Sequence, residues 1–231
     1  MLRVMHVIGS LERGGAEKIL TNLVRTQSRF VRHTVVTLSK AEMQQDGEVE
    51  FDALGVKIVS LGLRGKDTRS NPLTVIFRGI SASLMVARIA WVIRPNIINS
   101  WMYQSDLICG IIGRLLGIPV IWGIFLSNLN PGYYKKSTIA IIRLAGLLSK
   151  FLPSRIISCT EAGIATHIKM GYPPNKIKYI PPGTDTELFV PTRDARLVSQ
   201  RTRPGVVRDF VVGMVAREDP QKNFDLLFGG F

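Results

Sequence analysis

Two cations in one loop near the end of this 231-residue chain have the spacing of an anion-binding site. Arg217 and Lys222 stand in the segment AREDPQK, which follows an apolar stretch and precedes a predicted helix. A guanidinium fork and a mobile ammonium beside a helix N-terminus suit the oxygens of a diphosphate. The alternative interpretation is a pair of solvated surface cations, and the loop alone does not decide between the two.

A pair of glycines lies in a second candidate loop, near the start of the chain. Gly14 and Gly15 follow the predicted strand 3–9 and precede a predicted helix. Adjacent glycines let a ligand approach the backbone closely, and the helix start offers free N–H groups. Neither GxxxxGK[ST] nor GxGxxG occurs, which excludes the P-loop and the dinucleotide fingerprint. A plain turn between strand and helix is the alternative.

The elements that must position these loops alternate along the chain. Short runs rich in Val and Ile are predicted strands, and the longer segments between them are predicted helices. Near-continuous apolar strands separated by helices indicate a parallel sheet covered on both faces. We therefore predict an α/β fold, a Rossmann-like doubly wound parallel sheet. The predicted strands are 3–9, 33–38, 56–61, 96–101, 119–124, 155–159 and 176–181, and the predicted helices are 16–29, 72–93, 103–116, 135–152 and 161–170.

The predicted sheet ends near residue 181, and we assign residues 1–191 to one domain. Residues 192–208 are polar and basic without steady periodicity, which is typical of a linker. A new strand at 209–216 and a helix after it begin a second, incomplete domain at 209–231. A lone strand–helix unit cannot bury its apolar faces, so we expect this segment to need further chain or the first domain to cover it.

The net charge of +13 is concentrated in one region. Residues 53–184 hold 16 Lys and Arg against three acids, an excess equal to the charge of the whole chain. Such a region favours nucleic acid or an anionic membrane as a partner, or else it is a solvated basic surface. No recognition-helix pattern, RNP motif or aromatic platform accompanies it, which argues against nucleic acid.

Segment 133–155 carries the pattern that favours a membrane. Its apolar residues are rimmed by cations, as in helices that lie on anionic bilayers. A helix that packs one face on the sheet is the alternative. The apolar residues are Ile139, Ile142, Leu147, Phe151 and Leu152, and the cations are Lys135, Lys136, Arg143, Lys150 and Arg155.

The cysteines and the uncharged runs bear on the compartment. Cys109 and Cys159 lie in apolar stretches without metal-ligand spacing, which favours free thiols in a reducing compartment. The N-terminus lacks the pattern of a signal peptide. The longest uncharged run, 115–133, contains two prolines and three glycines, unlike a spanning helix. We expect a cytoplasmic protein, or one that lies on the inner face of the cytoplasmic membrane.

Four segments, taken together and in this order, resemble the retaining glycosyltransferases of family 4, which have the GT-B fold. They are GGAEK (14–18), NIINSWMYQSDLICGIIGRLLGIPVIWGI (96–124), IPPGTDTELFVP (180–191) and VAREDPQKNFDLL (215–227). The resemblance implies two Rossmann-like lobes that face each other across a cleft. Residues 1–191 would be the acceptor lobe, 192–208 the hinge, and 209–231 the start of the lobe that binds the sugar nucleotide.

The resemblance also assigns roles to the two candidate loops. Carried over by position, Gly14 and Gly15 would face the donor diphosphate, and Arg217 and Lys222 would bind it. Cleavage of the anomeric bond places negative charge on the leaving nucleoside diphosphate, so preplaced cations act where that charge develops. Neither a metal nor a cofactor is implied, since the nucleoside-diphosphate sugar is a co-substrate.

Three residues of the segment WMYQ, namely Trp101, Tyr103 and Gln104, would contact the acceptor. The implied acceptor is a glycan or a lipid-linked molecule, as in the synthesis of cell-surface polysaccharides. No catalytic residue is assigned.

The chain departs from the family pattern at several positions. Gln104 stands where a histidine is expected, and a glutamine can hydrogen-bond but cannot carry a proton. Phe125 replaces an arginine, and Pro182 replaces an asparagine. The family's E-x7-E pair belongs late in the second lobe, whereas the match at Glu42 and Glu50 lies in the first and is interpreted as chance.

These departures lead to two hypotheses. In the first, the chain is an enzyme lobe whose donor site is incomplete as written, so that negligible transfer is expected from these residues alone. In the second, it is a binding module or relic that holds an acceptor or a membrane and turns nothing over.

Overall fold

The computed structural model describes residues 1–11, 14–39, 51–64, 72–129, 132, 134–187, 189–190, 213–216 and 222–230. The chain forms two compact units, Met1–Pro182 and Gly183–Phe231. In chain order, the elements of the first unit are β1 (Leu2–Ile8), α1 (Gly15–Gln27), β2 (Val31–Ser39), β3 (Lys57–Arg64), α2 (Pro72–Ile93), β4 (Ile97–Trp101), α3 (Tyr103–Leu116), β5 (Val120–Ile124), α4 (Lys136–Leu148), β6 (Arg155–Ser158), α5 (Glu161–Lys169), a 3-10 turn (Pro174–Lys176) and β7 (Ile177–Tyr179).

The seven strands form one parallel sheet in the order β3-β2-β1-β4-β5-β6-β7. β1 lies between β2 and β4, with Val4 opposite His33 on one side and Ile97 on the other. The chain therefore winds outward from β1 in one direction up to β3, crosses back through α2, and winds in the other direction from β4. The predicted Rossmann-like α/β fold is confirmed, and each strand forms within a few residues of its predicted position.

The apolar residues of the central strands serve two cores, one on each face of the sheet. Met5 and Val7 pack with α2, α3 and α4. Ile8 faces the other way and packs with Leu20 and Val24 of α1. Because successive side chains of a strand point to opposite faces, near-continuous apolar strands are what a sheet covered on both sides requires.

Helix α3 lies unusually close to the sheet. A Cβ on Gly113 would collide with the Val120 side chain and the Ile118 carbonyl oxygen, so only glycine permits this approach. Gly117 ends the helix with φ of 67°, the left-handed conformation that favours glycine at a helix C-terminus. These two glycines fix where α3 sits on the sheet and where it ends.

Helix α4 corrects part of the predicted membrane-facing surface at 133–155. Ile139 and Ile142 are buried against the sheet and are not available to a bilayer. The alternative interpretation, a helix that packs one face on the sheet, is therefore correct for the inner side of α4. Leu147 and Phe151 remain exposed on the outer side. Among the described residues, no helix combines the length and the apolarity needed to cross a membrane.

The second unit contains one described helix, α6 (Phe224–Gly229), within the helix predicted there. The predicted linker at 192–208 and the first half of the predicted strand 209–216 lie outside the described residues. The remaining residues of that segment, 213–216, have no regular secondary structure, so the predicted strand is not found in this part. A strand needs a hydrogen-bonded neighbour, and no described residue pairs with these four.

Candidate functional site

A cleft opens at the carboxyl edge of the sheet, between the ends of β1 and β4. Its volume is about 260 Å³. The sheet order reverses its winding between these two strands, and α/β proteins bind ligands in the crevice at such a point. The walls come from Ile8–Ser10 at the end of β1, Ala16 and Glu17 of α1, the segment 101–105, and Thr138 and Ile141 of α4.

Three helices begin at this cleft, and their first N–H groups are not capped by side chains. In the described structure, α1, α3 and α4 have no side-chain hydrogen bond at their N-caps. Helix α5 differs, because the Thr160 hydroxyl accepts a hydrogen bond from the Gly163 N–H at 2.9 Å. Helix starts without such a cap and the positive ends of the helix dipoles favour an anion, whereas the Glu17 carboxyl, at the start of α1, brings an acidic group to the same cleft.

Gly14 and Gly15 form the exposed start of α1. Gly14 is the N-cap, with extended backbone, and its carbonyl accepts the first helical hydrogen bond from the Lys18 N–H at 3.1 Å. The Glu17 side chain folds back over Gly14, where it occupies the place that a Cβ would take. Around Gly15 there is room for a Cβ, and its backbone angles do not demand glycine. The fold therefore does not explain a glycine at position 15.

The Trp101 side chain lies beside the cleft and turns into the core on the α1 side of the sheet. It is only 3% exposed. Its indole Nε1 donates to His6 Nδ1 at 3.4 Å, and His6 Nε2 lies 3.0 Å from His33 Nδ1. Because an indole can only donate, His6 must accept on Nδ1 and donate from Nε2 to His33. The outer side of the indole stacks on Phe125, with ring centroids 5.1 Å apart.

Both histidines of this chain of hydrogen bonds are neutral at pH 7. Burial, and secondarily the neighbouring His33, lowers the pKa of His6 to about 3. Burial also lowers the pKa of His33. The Nε2 atom of His33 is buried without a hydrogen-bond partner among the described residues. The pair therefore holds Trp101 in place without bringing a charge to the cleft.

Met102 connects β4 directly to α3 through a strained backbone conformation. Its φ of 72° and ψ of 156° fall in a region that is essentially restricted to glycine and costs about 1–3 kcal/mol for other residues. Two hydrogen bonds hold it: its N–H donates to the Gly123 carbonyl at 3.1 Å, and its carbonyl accepts from the Asp106 N–H at 3.0 Å. This turn places Trp101 and Tyr103 in opposite cores.

Tyr103 lines the cleft with its ring, but its hydroxyl is already engaged. The hydroxyl lies 2.8 Å from His167 Nε2, and His167 Nδ1 lies 2.7 Å from the Gly163 carbonyl. A carbonyl only accepts, so Nδ1 carries the proton and Nε2 accepts from Tyr103. Burial lowers the pKa of His167 and raises the pKa of Tyr103 well above its usual value, so both are neutral.

Asp106 lies in the first turn of α3 and is fully buried beneath the cleft wall. The Ser100 hydroxyl donates to Asp106 Oδ1 at 2.5 Å, whereas Oδ2 has no hydrogen-bond partner among the described residues. Burial raises the pKa of this carboxyl to about 7, against the opposing effects of Ser100 and the Gly123 backbone. Asp106 is thus a partly protonated acid near neutral pH, which a carboxyl in water is not.

Gln104 is the exposed member of the segment WMYQ. Its amide offers donors and an acceptor at the rim of the cleft, whereas the polar atoms of Trp101 and Tyr103 bond to buried histidines. Of the three predicted acceptor-binding residues, all line the cleft, but Gln104 presents its polar group to solvent.

The predicted donor pair is only partly described. Lys222 is exposed in the second unit, one residue before Asn223, whose backbone is left-handed. Arg217 lies outside the described residues. The acceptor segment lines the cleft, and Gly14 and Gly15 directly precede Ala16 and Glu17, which line it too. The roles of the glycines, of the acceptor segment and of the donor pair stay predictions. In the described part of the chain, no group of three or more His, Cys, Asp or Glu is arranged to hold a metal ion.

Sequence reasoning missed the buried polar groups behind the cleft: His6, His33, His167, Ser100 and Asp106. One sequence signal was present for Asp106, because it is the only acid between residues 68 and 160. The histidines gave no such signal, since the three are far apart in the sequence and each finds its partner only through the fold.

Comparisons with known proteins identify the family. The family model described as Glycosyltransferase Family 4 matches residues 13–188, which is most of the chain. The chain belongs to glycosyltransferase family 4. One relative, "Putative glycosyltransferase EpsF" of Bacillus subtilis (strain 168), is 25% identical over 232 residues, which cover 97% of this chain and 56% of that protein.

Solved structures place this family 4 chain in a known fold. Anabaena HepE, solved in complex with UDP and glucose, matches with a TM-score of 0.74 and 17% identity over 99% of this chain and 57% of HepE. The UDP-GlcNAc 2-epimerase of Neisseria meningitidis, bound to UDP-GlcNAc, matches with a TM-score of 0.55 and 12% identity, over 77% of this chain and 45% of its own. The chain thus spans little more than half the length of EpsF and HepE.

Proposed function

We propose that this chain forms the acceptor-side lobe of a glycosyltransferase that uses a nucleoside-diphosphate sugar. In the proposed reaction, the bond between the anomeric carbon and the diphosphate oxygen breaks, and a hydroxyl oxygen of the acceptor bonds to that carbon. The hydroxyl proton is released, the nucleoside diphosphate leaves with the bonding electrons, and the anomeric configuration is retained. The proposed acceptor is a glycan or a lipid-linked molecule of cell-surface polysaccharide synthesis.

The observation that carries this proposal is the cleft at the reversal point of the sheet. Within the region that matches family 4, it joins Ala16 and Glu17, the residues directly after the glycine pair of α1, to the predicted acceptor segment 101–104. The uncapped starts of α1, α3 and α4 supply N–H donors for the charge of a diphosphate. Since UDP-GlcNAc 2-epimerase shares the fold, the fold alone would not favour transfer over epimerisation, and the family match supports transfer.

The acceptor contact that we propose centres on Gln104. Its exposed amide can donate to and accept from a sugar hydroxyl, and it cannot take up a proton. Trp101 and Tyr103 instead shape the wall, because their polar atoms are bonded to His6 and His167. Among the described residues that line the cleft, Glu17 is the one acid, so an acceptor hydroxyl that loses its proton here can pass it to Glu17, to the leaving diphosphate or to water.

The proposed donor contact is tested by diphosphate binding. We expect UDP, GDP or ADP to bind the 231-residue chain more tightly than the matching nucleoside, because the diphosphate supplies the charge that Arg217 and Lys222 would bind. Arg217→Ala and Lys222→Ala should each weaken nucleotide binding about tenfold or more, measured by isothermal titration calorimetry. Lys178→Ala, which removes an exposed cation on β7, is the matched control and should change nothing.

Equal binding of nucleoside and nucleoside diphosphate, or equal effects of the three substitutions, would contradict the donor contact. Transfer itself is measured with radiolabelled UDP-glucose, UDP-galactose and GDP-mannose and a bacterial lipid extract, on this chain and on any longer polypeptide that contains it. Label in a lipid or glycan product with retained configuration would support the proposal. Acceptor binding without any transfer would instead favour the binding module.

Membrane contact through 133–155 is part of this proposal. The outer side of α4 exposes Leu144 and Leu147 beside Arg143 and Lys150, and Phe151 follows in the next turn. Apolar side chains with flanking cations suit the interface of an anionic bilayer.

A further inference from the structure

Three neighbouring helices of the first unit, and not α4 alone, expose large apolar side chains. Trp91 is 67% exposed on α2, Leu115 is 75% exposed on α3, and Phe151 is 73% exposed just after α4. Soluble proteins scatter single apolar residues on their surfaces, but adjoining ones on neighbouring elements usually mark a contact surface. The others described on these helices are Phe77, Ile80, Leu84, Met85, Val92, Ile111, Leu144 and Leu147.

The exposed side chains stand on three helices that cover the same face of the sheet. The inner sides of α2, α3 and α4 all contribute to the same core, through Val86, Ile112 and Ile142 among others. Helix α3 packs between α2 and α4. Each helix runs from the carboxyl edge of the sheet back to its amino edge, because it joins parallel strands. The last turns of the three helices, which carry Trp91, Leu115 and Leu147, therefore lie at the same level.

The charges on this part of the chain have one sign. Residues 72–155 contain nine Lys and Arg and a single acid, Asp106. Asp106 is fully buried, so it does not offset the charge at the surface. The exposed cations of the three helices include Arg88, Arg114 and Arg143. Each stands on a helix that also exposes a large apolar side chain.

The single sign of the charges around these apolar groups indicates what kind of partner the surface fits. A second copy that docked by the same face would bring its own cations against these, and like charges repel. An anionic bilayer accepts apolar side chains below the headgroups and attracts Lys and Arg at their level. We propose that the outer faces of α2, α3 and α4 together form a docking surface for an anionic lipid bilayer. The proposal rests on the membrane contact proposed for 133–155 and widens it, and it does not depend on sugar transfer.

The first measurement is vesicle binding by the 231-residue chain. We expect it to sediment with vesicles that contain phosphatidylglycerol, to bind phosphatidylcholine vesicles at least about tenfold more weakly, and to be released by salt. Trp91 provides a direct signal, because Trp101 and Trp122, the other two tryptophans, are buried. Lipids brominated near the headgroup should quench part of the tryptophan emission, and that quenching should vanish in Trp91→Gln.

Two pairs of substitutions outside 133–155 test the wider surface. Arg88→Gln with Arg114→Gln should weaken binding to anionic vesicles about tenfold. Trp91→Gln with Leu115→Gln should weaken it by a similar factor, since apolar burial and charge act together. All four side chains are exposed, so the fold should persist, and circular dichroism checks this.

Matched controls use exposed residues away from this face. Lys18→Gln with Arg29→Gln removes the same charge from α1 and the turn after it, on the opposite side of the sheet. Phe30→Gln with Ile180→Gln removes the same kind of apolar exposure. Both control pairs should retain vesicle binding within about twofold.

Several outcomes would overturn the proposal. One is that the chain does not bind phosphatidylglycerol vesicles at low salt. Another is that the test pairs and the control pairs lose vesicle binding equally, which would mean that the net charge of the chain, and not this surface, causes the binding. If Leu147→Gln with Phe151→Gln weakens vesicle binding but the α2 and α3 pairs do not, the contact is confined to 133–155 and the three-helix surface is excluded.

The chain could instead self-associate. If Trp91→Gln with Leu115→Gln abolishes self-association without any effect on vesicle binding, the face binds a second copy of the chain. None of these results bears on nucleotide binding, so the proposed sugar transfer stands or falls separately.

Discussion

The wall of the cleft and the outer face of α2, α3 and α4 depart from ordinary globular structure in opposite ways. Behind the cleft, polar groups are buried: the indole N–H of Trp101, the rings of His6 and His33, and the carboxyl of Asp106. On the outer face, apolar groups such as Leu115 are exposed. Buried polar groups and exposed apolar patches are the two observations that folding alone does not account for.

The two regions should contribute differently to the stability of the folded chain. Each polar group behind the cleft must find a partner or suffer a desolvation penalty, and two atoms, His33 Nε2 and Asp106 Oδ2, have none among the described residues. The outer face costs little in the folded chain, because an exposed side chain there is also exposed in the unfolded chain. Substitutions behind the cleft should therefore change stability and its pH dependence, whereas those on the outer face should not.

The largest expected effect is acid unfolding through His6. Its pKa is about 3 in the folded chain, against 6.5 for an unperturbed histidine, so between these values the unfolded chain binds a proton that the folded chain does not. Stability contributed by this neutral ring is therefore present above pH 6.5 and is lost as the pH falls toward 3. The loss amounts to roughly 5 kcal/mol, and urea unfolding at successive pH values measures it.

His6→Gln sharpens this prediction, because a glutamine can accept from Trp101 and donate to His33 but cannot titrate. We expect a smaller loss of stability below pH 6.5 than in the unchanged chain. Trp91→Gln, on the outer face, is the comparison and should keep the full pH dependence. An unchanged acid slope in His6→Gln would mean that this histidine is not the group that titrates.

The next effect in size concerns Asp106 and has the opposite sign. Its pKa is raised to about 7 from 3.8, so between these values the folded chain binds a proton that the unfolded chain has lost. Asp106 therefore makes the chain less stable as the pH rises from about 4 to about 7, by about 2–3 kcal/mol between roughly pH 5 and pH 8. Asp106→Asn should remove this part of the slope, so the stability difference from the unchanged chain should vary with pH. A difference that stays constant over that range would exclude the raised pKa.

The fold was predictable because its signal is local and repeated. Runs of Val and Ile between helical segments mark the strands, and a parallel sheet covered on both faces follows from them. The place of Trp101 and Gln104 in one site was implied by the family resemblance, and the structure has both in the lining of the cleft at the carboxyl edge of the sheet.

The interior of the site was not predictable in the same way. His6 and His33 stand 27 residues apart, and they meet only because β1 and β2 pair in one particular register. The conformation of Met102 gives no sequence signal, since that backbone region normally demands glycine and the residue is a methionine. The prediction also assigned residues of both sides of α4 to one membrane-facing surface, because apolar residues occur on most sides of this helix. Only the packed structure shows that Ile142 is buried and Leu147 is exposed.

The smallest expected effect on stability tests whether position 15 is glycine because of a ligand, since the fold does not require it. Gly15 and Gly79 both stand in helices with room for a Cβ and without positive φ. Alanine has the higher helix propensity, so Gly15→Ala and Gly79→Ala should each leave stability unchanged or raise it by up to about 1 kcal/mol. Of the two, only Gly15 stands next to residues that line the cleft, Ala16 and Glu17, and a methyl group there would hinder a diphosphate that approaches the helix start. We therefore expect Gly15→Ala to weaken nucleotide binding about tenfold in the calorimeter and Gly79→Ala to leave it unchanged. If both variants bind alike, the open space at Gly15 is not used by the donor, and the cleft would then serve the acceptor alone.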